Sequence, residues 1–251
     1  MPVVSATSAA PSLHPAGRAV TLLAACGPEL AGRRLVIEGR RVFAVRFGRL
    51  ALLLAYVDAG EFAPSELERR RADGAWQAQQ ARIHERAVER ASAHGHVLPL
   101  RSLTVLAGTD VLDAYVREHA PRWTRGLARL GDKRECAVHL YVGPHAMPLR
   151  EPYLLRVSGR ATRSNRIPTI AAGAEIAQHA QRVWETCRAL AQAVRRVPEP
   201  KRRGELWAAA LLVAPSDVTP LADAVERCAA VGAALGITAY LEGPRAPFSF
   251  V

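Results

Sequence analysis

The sequence predicts an α+β fold in two domains, the second a ferredoxin-like (split βαβ) sandwich carrying a long heptad-patterned helix. Three observations predict it. Of the 251 residues, 49% are hydrophobic and 23% charged, which supplies enough apolar surface for a core in each of two small domains. Short runs of period two stand beside longer runs of period three to four. Strands come before helices in the first half of the chain, whereas the two alternate in the second.

Residues 1–18, rich in Ser, Ala and Pro and without periodicity, read as a tail. Ala19 to Cys26 is an apolar run stopped by Gly27-Pro28, and Arg41 to Phe47 alternates along its length. Both read as strands. Gly48-Arg49 then makes a hairpin with Leu50 to Val57, which is apolar on both faces and reads as a buried strand. Three strands are thus expected before the first helix. Pro64 to His94 has helical spacing, with Trp76, Ile83, Ala87 and Ala91 on one face, Arg82, Arg86 and Arg90 on a solvated one, and Gly95 at the C-cap. Val97 to Val105 is extended but broken by Pro99, which assigns it to a sheet edge or a bulge. Thr109 opens a helix to about His119, and Pro121 starts another that ends near Gly131. The first domain is therefore 19–132.

The second domain, 133–251, begins with the strand Cys136 to Val142, followed by an irregular loop from Gly143 to Ile170. Within Ala171 to Val197, the residues Ile176, Ala180, Val183, Cys187, Leu190, Val194 and Val197 keep heptad spacing. Such a stripe fits either a coiled-coil seam or a helix lying on its own sheet. Either way it is expected to be covered, because Ile176, Val183, Leu190 and Val194 exposed together would form a large apolar patch. Glu205 to Val213 is a strand, and Thr219 with Pro220 opens a helix striped by Leu221, Val225 and Cys228 and closed by Gly236. Ile237 to Leu241 is the last strand. In the tail, Phe248 and Phe250 alternate and are expected to dock as an extended segment with both rings buried and Val251 near the surface, the alternative being a detachable peptide that adds a strand to a partner.

Charge and motifs exclude several function classes. The net charge of +11 comes almost wholly from arginines dispersed along the chain, with no basic block interleaved with aromatics, so nucleic acid is not the expected partner. Apolar runs such as Leu50 to Val57 fall far short of the roughly twenty residues that cross a bilayer, and Met1 to Pro15 has no secretory pattern. No membrane is expected, and the chain should stay in the cytoplasm. Cys26, Cys136, Cys187 and Cys228 fit no metal or redox spacing and read as reduced, buried thiols. His84-Glu85 with His94 and His96 suggests a metal, but the position four after His84 is Val88, so no second imidazole shares its helix face. Glycine-rich phosphate loops and a nucleophile elbow are absent, and Asp110 with Asp113 suits a helix start better than acid–base work. Metal, nucleotide and other cofactors are expected to be absent, and an enzyme stays open but without support, because lone residues such as Ser158 or His145 have no partner the sequence identifies.

Five segments, in order, carry a resemblance. They are His84-Glu85-Arg86-Ala87-Val88, Val97-Leu98-Pro99-Leu100-Arg101, Cys136-Ala137-Val138-His139-Leu140-Tyr141, Pro152-Tyr153-Leu154-Leu155-Arg156, and Gly243-Pro244-Arg245-Ala246-Pro247-Phe248-Ser249-Phe250. Together they resemble the GvpL/GvpF gas vesicle family over about Ala19 to Val251, the closing motif being the most specific. Ser102-Leu103 stands where the family has Phe-Gly, and Arg245-Ala246 where it has Trp-Pro, so the chain resembles a divergent member. The resemblance implies two α+β domains and no catalysis. It also implies an assembly factor or minor component of the gas vesicle, located in the cytoplasm and at the vesicle, that binds the hydrophobic shell protein and other accessory gas vesicle proteins. A small-molecule enzyme with its site in the 143–170 loop and an Arg-rich nucleic-acid-binding protein are the alternatives. Candidate structural or partner-interface residues are Pro99, Leu100, Arg101, Tyr153, Arg156, Ile176, Val183, Leu190, Val194, Gly243, Pro244, Pro247, Phe248 and Phe250.

Overall fold

Strand β1 (Arg18–Cys26) lies inside a five-stranded antiparallel sheet of order β2-β3-β4-β1-β5, formed with β2 (Arg34–Ile37), β3 (Arg40–Phe47), β4 (Leu50–Asp58) and β5 (Val97–Leu106). The computed structural model describes residues 17–70, 72–143, 154–155, 170–196 and 204–251, in two compact units that divide between Arg129 and Leu130. The 143–170 loop, with Tyr153 and Arg156, falls almost wholly outside the described residues, as does most of the 1–18 tail.

In the first unit, Leu50 to Ala55 on β4 are buried on both faces of the strand. Four strands, not three, precede the first helix, because Arg34–Ile37 pairs with β3 through the turn Glu38-Gly39. That edge strand is short and its apolar residues, Leu35 to Ile37, run consecutively, so it carries no clean alternation to read. The long first helix is two, α1 (Pro64–Arg70) and α2 (Gly74–Ser92). Asp73 divides them, its side chain accepting from the backbone N–H groups of Ala75 and Trp76 at 3.0 Å each. The cap at the far end of α2 is Ala93, not Gly95.

Helix α3 (Thr109–Leu130) runs unbroken through Pro121. Leu112, Val116, Trp123, Leu127 and Leu130 form one buried stripe across it. Burial of that stripe outweighs the single backbone bond that proline forfeits. On an adjoining face Tyr115 stacks on His119 at 4.0 Å.

The second unit has β6 (Arg134–Val142), β7 (Leu154–Leu155), β8 (Ala193–Arg196), β9 (Glu205–Val213) and β10 (Ile237–Arg245) in the order β7-β10-β6-β9-β8, with every pairing antiparallel. Helices α4 (Ile170–Ala189) and α5 (Val218–Gly232) complete it. Cys136, Val138 and Leu140 from β6, Trp207, Ala209 and Leu211 from β9, and Ile237, Ala239 and Leu241 from β10 share one core with Ile176, Val183 and Cys187 of α4 and Leu221 and Val225 of α5. The heptad stripe is thus a helix lying on its own sheet.

The stripe also ends early. After Ala189 the last carbonyls are taken by tight bonds, Leu190 N–H to Cys187 O and Ala191 N–H to Arg188 O at 3.3 Å each, and Gln192 N–H already reaches Leu212 O at 2.8 Å. Leu190 and Val194 therefore lie beyond the helix, half-buried against the same core, and Val194 sits on strand β8. Heptad spacing continued by chance into the strand, where the ladder with β9 decides the conformation. Helix α5 starts at Val218, one residue before the expected Thr219 cap, because a 3₁₀ turn at Pro215–Asp217 leads into it. Gly236, at φ 69°, closes the following turn as a left-handed cap.

Candidate functional site: the C-terminal clasp

Strand β10 continues past its expected end at Leu241 to Arg245, with a bulge between Glu242 and Arg245 that brings Arg245 opposite Glu135. Gly243 sits in this bulge at φ 109°, and a Cβ there would lie 2.7 Å from the Glu135 carbonyl oxygen. Only glycine allows that approach. Pro244 follows it on the exposed surface, through a cis peptide bond.

Beyond Arg245 the chain turns instead of extending. Ala246 and Pro247 are buried, and Phe248–Phe250 forms a 3₁₀ turn closed by Phe248 N–H to Ala246 O at 2.9 Å and Phe250 N–H to Pro247 O at 3.2 Å. Both phenylalanines are half-buried and Val251 is exposed. The tail is docked, as expected, but the extended segment with two fully buried rings is corrected. The reason is a residue the sequence reading passed over.

That residue is Glu135, whose side chain is fully buried at the start of β6. A carboxylate taken out of water is costly unless its lone pairs are all engaged. Here Oε1 accepts from Arg245 Nη2 at 2.6 Å, Arg245 Nε at 3.1 Å and Ser249 Oγ at 2.9 Å, while Oε2 accepts from the Ser249 backbone N–H at 2.6 Å. The turn exists because it aims the Ser249 N–H and hydroxyl at one buried anion. In this chain, Gly243 gives clearance, Arg245 gives charge and Ser249 gives two donors. One cue was present in the sequence, an arginine in the closing motif.

The same face of β6 carries His139 and Tyr141. His139 Nδ1 lies 2.9 Å from Glu205 Oε1 and its Nε2 3.9 Å from Glu242 Oε1, with Tyr141 packed edge-on to Tyr240 at 5.7 Å. This polar group links β6, β9 and β10 through their side chains. Among the described residues, no three His, Cys, Asp or Glu side chains are grouped to hold a metal. Burial pushes the thiols of Cys26 and Cys187 up to about 12 and that of Cys136 to about 11, which leaves them protonated and unreactive.

In the first unit, the other motif segment lies on edge strand β5. Pro99 is buried opposite Ala24, and the pairing to β1 resumes only at Thr104 opposite Leu22. Leu100 to Leu103 therefore leave the ladder, and the Thr104 hydroxyl donates to Arg101 O at 2.7 Å to close the excursion. Leu100 is half-buried, Arg101 and Ser102 are exposed, and Leu103 holds φ 62°. The expectation of an edge with a bulge holds in both parts. Across it, Leu23 is the extra residue of β1, and buried His84 donates from Nε2 to its carbonyl at 2.9 Å. His84 is thus a satisfied core histidine. The structure gathers Gly243, Pro247, Phe248 and Phe250 at the clasp, and Ile176, Val183, Leu190 and Val194 around the second core. Pro99 to Arg101 belong to the first unit.

A family model described as gas vesicle synthesis protein GvpL/GvpF matches residues 22–251. The curated gas vesicle protein L of Streptomyces sp. (strain CB03234) is 31% identical over 107 residues, which cover 43% of this chain and 40% of that relative, so the match spans about two fifths of its length. The crystal structure of the gas vesicle protein GvpF from Anabaena sp. PCC7120 superposes with a TM-score of 0.67 at 15% identity, covering 93% of this chain and 95% of that one. That of GvpF from Microcystis aeruginosa gives 0.61 at 15%, covering 92% and 98%. No helix of the described residues is long and apolar enough to cross a membrane.

Proposed function

We propose that this chain, which belongs to the GvpL/GvpF gas vesicle synthesis family, acts as an assembly factor or minor structural component that binds the hydrophobic shell protein and other accessory gas vesicle proteins. It works by binding and not by catalysis, in the cytoplasm and at the vesicle surface. A small shell protein that is insoluble alone needs a partner offering free strand edges or apolar grooves. The observation that carries this reading is strand β2, the terminal strand of the first sheet, which presents Val36 at 61% exposure.

The fold we assign to 133–251 is the ferredoxin-like one. Its support is that β10 lies beside β6 and β9 lies between β6 and β8, with α4 and α5 as the crossovers. In this reading the clasp holds the closing motif inside the domain, which leaves the sheet edges as binding surfaces and removes the tail as a detachable peptide.

Co-expression of the shell protein with this chain carrying an affinity tag tests the function. The shell protein is expected to co-purify, and Val36→Glu to reduce the amount recovered. A shell protein that fractionates identically with and without the chain would overturn the proposal.

A further inference from the structure

The end of α4 and strand β8 enclose a groove that the clasp does not use. Trp184 and Arg188 are four apart and share a helix face, and Val194 and Arg196 are two apart and share a strand face. These four, with Ala191, Gln192 and Ala193, line an open groove of about 460 Å³. Its floor is rigid, because Trp184 stands edge-on to the buried Trp207 at 5.6 Å. Arg196 lies over the Trp184 ring at 5.2 Å, and Arg188 and Arg196 are both exposed. Among the described residues neither arginine forms an ion pair. Strand β8 is also the last of its sheet, with no described strand on its outer side.

We propose that this groove binds an extended acidic segment of another protein, which adds as a strand to the outer edge of β8 and places carboxylates against Arg188 and Arg196. The charge and the shape choose this occupant together. Two arginines that form no ion pair among the described residues, beside the Trp184 ring, Val194 and the polar Gln192, complement carboxylates carried on an extended segment. An edge with no described strand beyond it offers backbone pairing that a peptide can use and a nucleic acid cannot. The inference is independent of the gas vesicle role, since it rests on the second unit alone.

The test uses the purified full chain and fluorescein-labelled octapeptides, one alternating Glu and Val and one alternating Lys and Val, followed by fluorescence anisotropy at moderate salt. The Glu peptide is expected to bind and the Lys peptide not to. Arg188→Glu with Arg196→Glu is expected to weaken binding by about tenfold or more. Arg122→Glu with Arg125→Glu, exposed positions on α3 with the same change in net charge, serves as the control and is expected to change it by less than about threefold. N-methylation of alternate peptide bonds in the Glu peptide should abolish binding. Equal losses in both variant pairs would reduce the effect to general basicity and overturn the proposal, as would unaltered binding of the N-methylated peptide. An oligothymidylate that binds through Arg188 and Arg196 while the Glu peptide does not would overturn it in favour of a nucleic-acid site.

Discussion

The buried carboxylate of Glu135 and the guanidinium of Arg245 meet at 2.6 Å, joining the first strand of the second unit to the last across 110 residues of chain. Arg245 keeps 39% of its side chain exposed and Glu135 none, so the energetic weight falls on the glutamate. Glu135→Ala leaves Arg245 able to reach water but strips Ser249 of both its acceptors. The expected loss is about 2–4 kcal/mol in urea unfolding. Arg245→Ala should cost as much or more, because the buried anion keeps only the two Ser249 donors. Variants within about 0.5 kcal/mol of the parent would show that the clasp contributes little.

His84 gives the first unit a pH dependence. Burial lowers its pKa from the ordinary 6.5, against the opposing effect of its bond to Leu23 O. Between that lowered value and 6.5 the unfolded chain holds a proton that the folded chain lacks, so stability is complete above about 6.5 and falls as the pH drops below it. His179, lowered by burial beside Cys228, acts in the same direction in the second unit. His84→Gln is expected to flatten part of this slope while lowering stability at pH 8 by about 1–2 kcal/mol, since Leu23 O loses a well-aligned donor. An unchanged slope would mean that His84 does not titrate on unfolding.

Leu103 occupies the left-handed region at φ 62°, a conformation that glycine adopts without strain. Such a backbone costs a bulky residue about 1–2 kcal/mol, and the side chain keeps 37% of its surface exposed. Leu103→Gly is therefore expected to raise thermal stability, by about 1 kcal/mol after the entropy of the glycine is counted. A lowered melting temperature would show that Leu103 makes a packing contribution larger than its strain.

The heptad stripe can be divided by mutation. Val183 is fully buried and Val194 half-buried on the neighbouring strand. Val183→Asp should cost about 4 kcal/mol or more and unfold the second unit, while Val194→Asp should cost about 1–2 kcal/mol. Equal losses would restore Val194 to the helix.

Strands with clean alternation or continuous apolar runs, β3, β4 and β9, were legible from the sequence because burial alone specifies them. The elements that were not legible are those set by partners far along the chain. Strand β2 is defined by its ladder with β3, β8 by its ladder with β9, and the unbroken α3 by a stripe that outweighs Pro121. The clasp was half legible. Gly243, Pro247, Phe248 and Phe250 stood out as a motif, but the anion that organises them is Glu135, distant in sequence and silent in any local pattern. Arg188 and Arg196 likewise line one groove only because α4 and β8 fold side by side.

As the proposed assembly factor or minor component, this chain is expected to be needed for gas vesicles to form. The most direct test is deletion of its gene in its own organism, under conditions in which vesicles form, read by the loss of light scattering that pressure collapse produces. Pressure-sensitive scattering is expected to disappear on deletion and to return with the wild-type gene. Scattering of unchanged amplitude and collapse pressure in the deletion strain would contradict it.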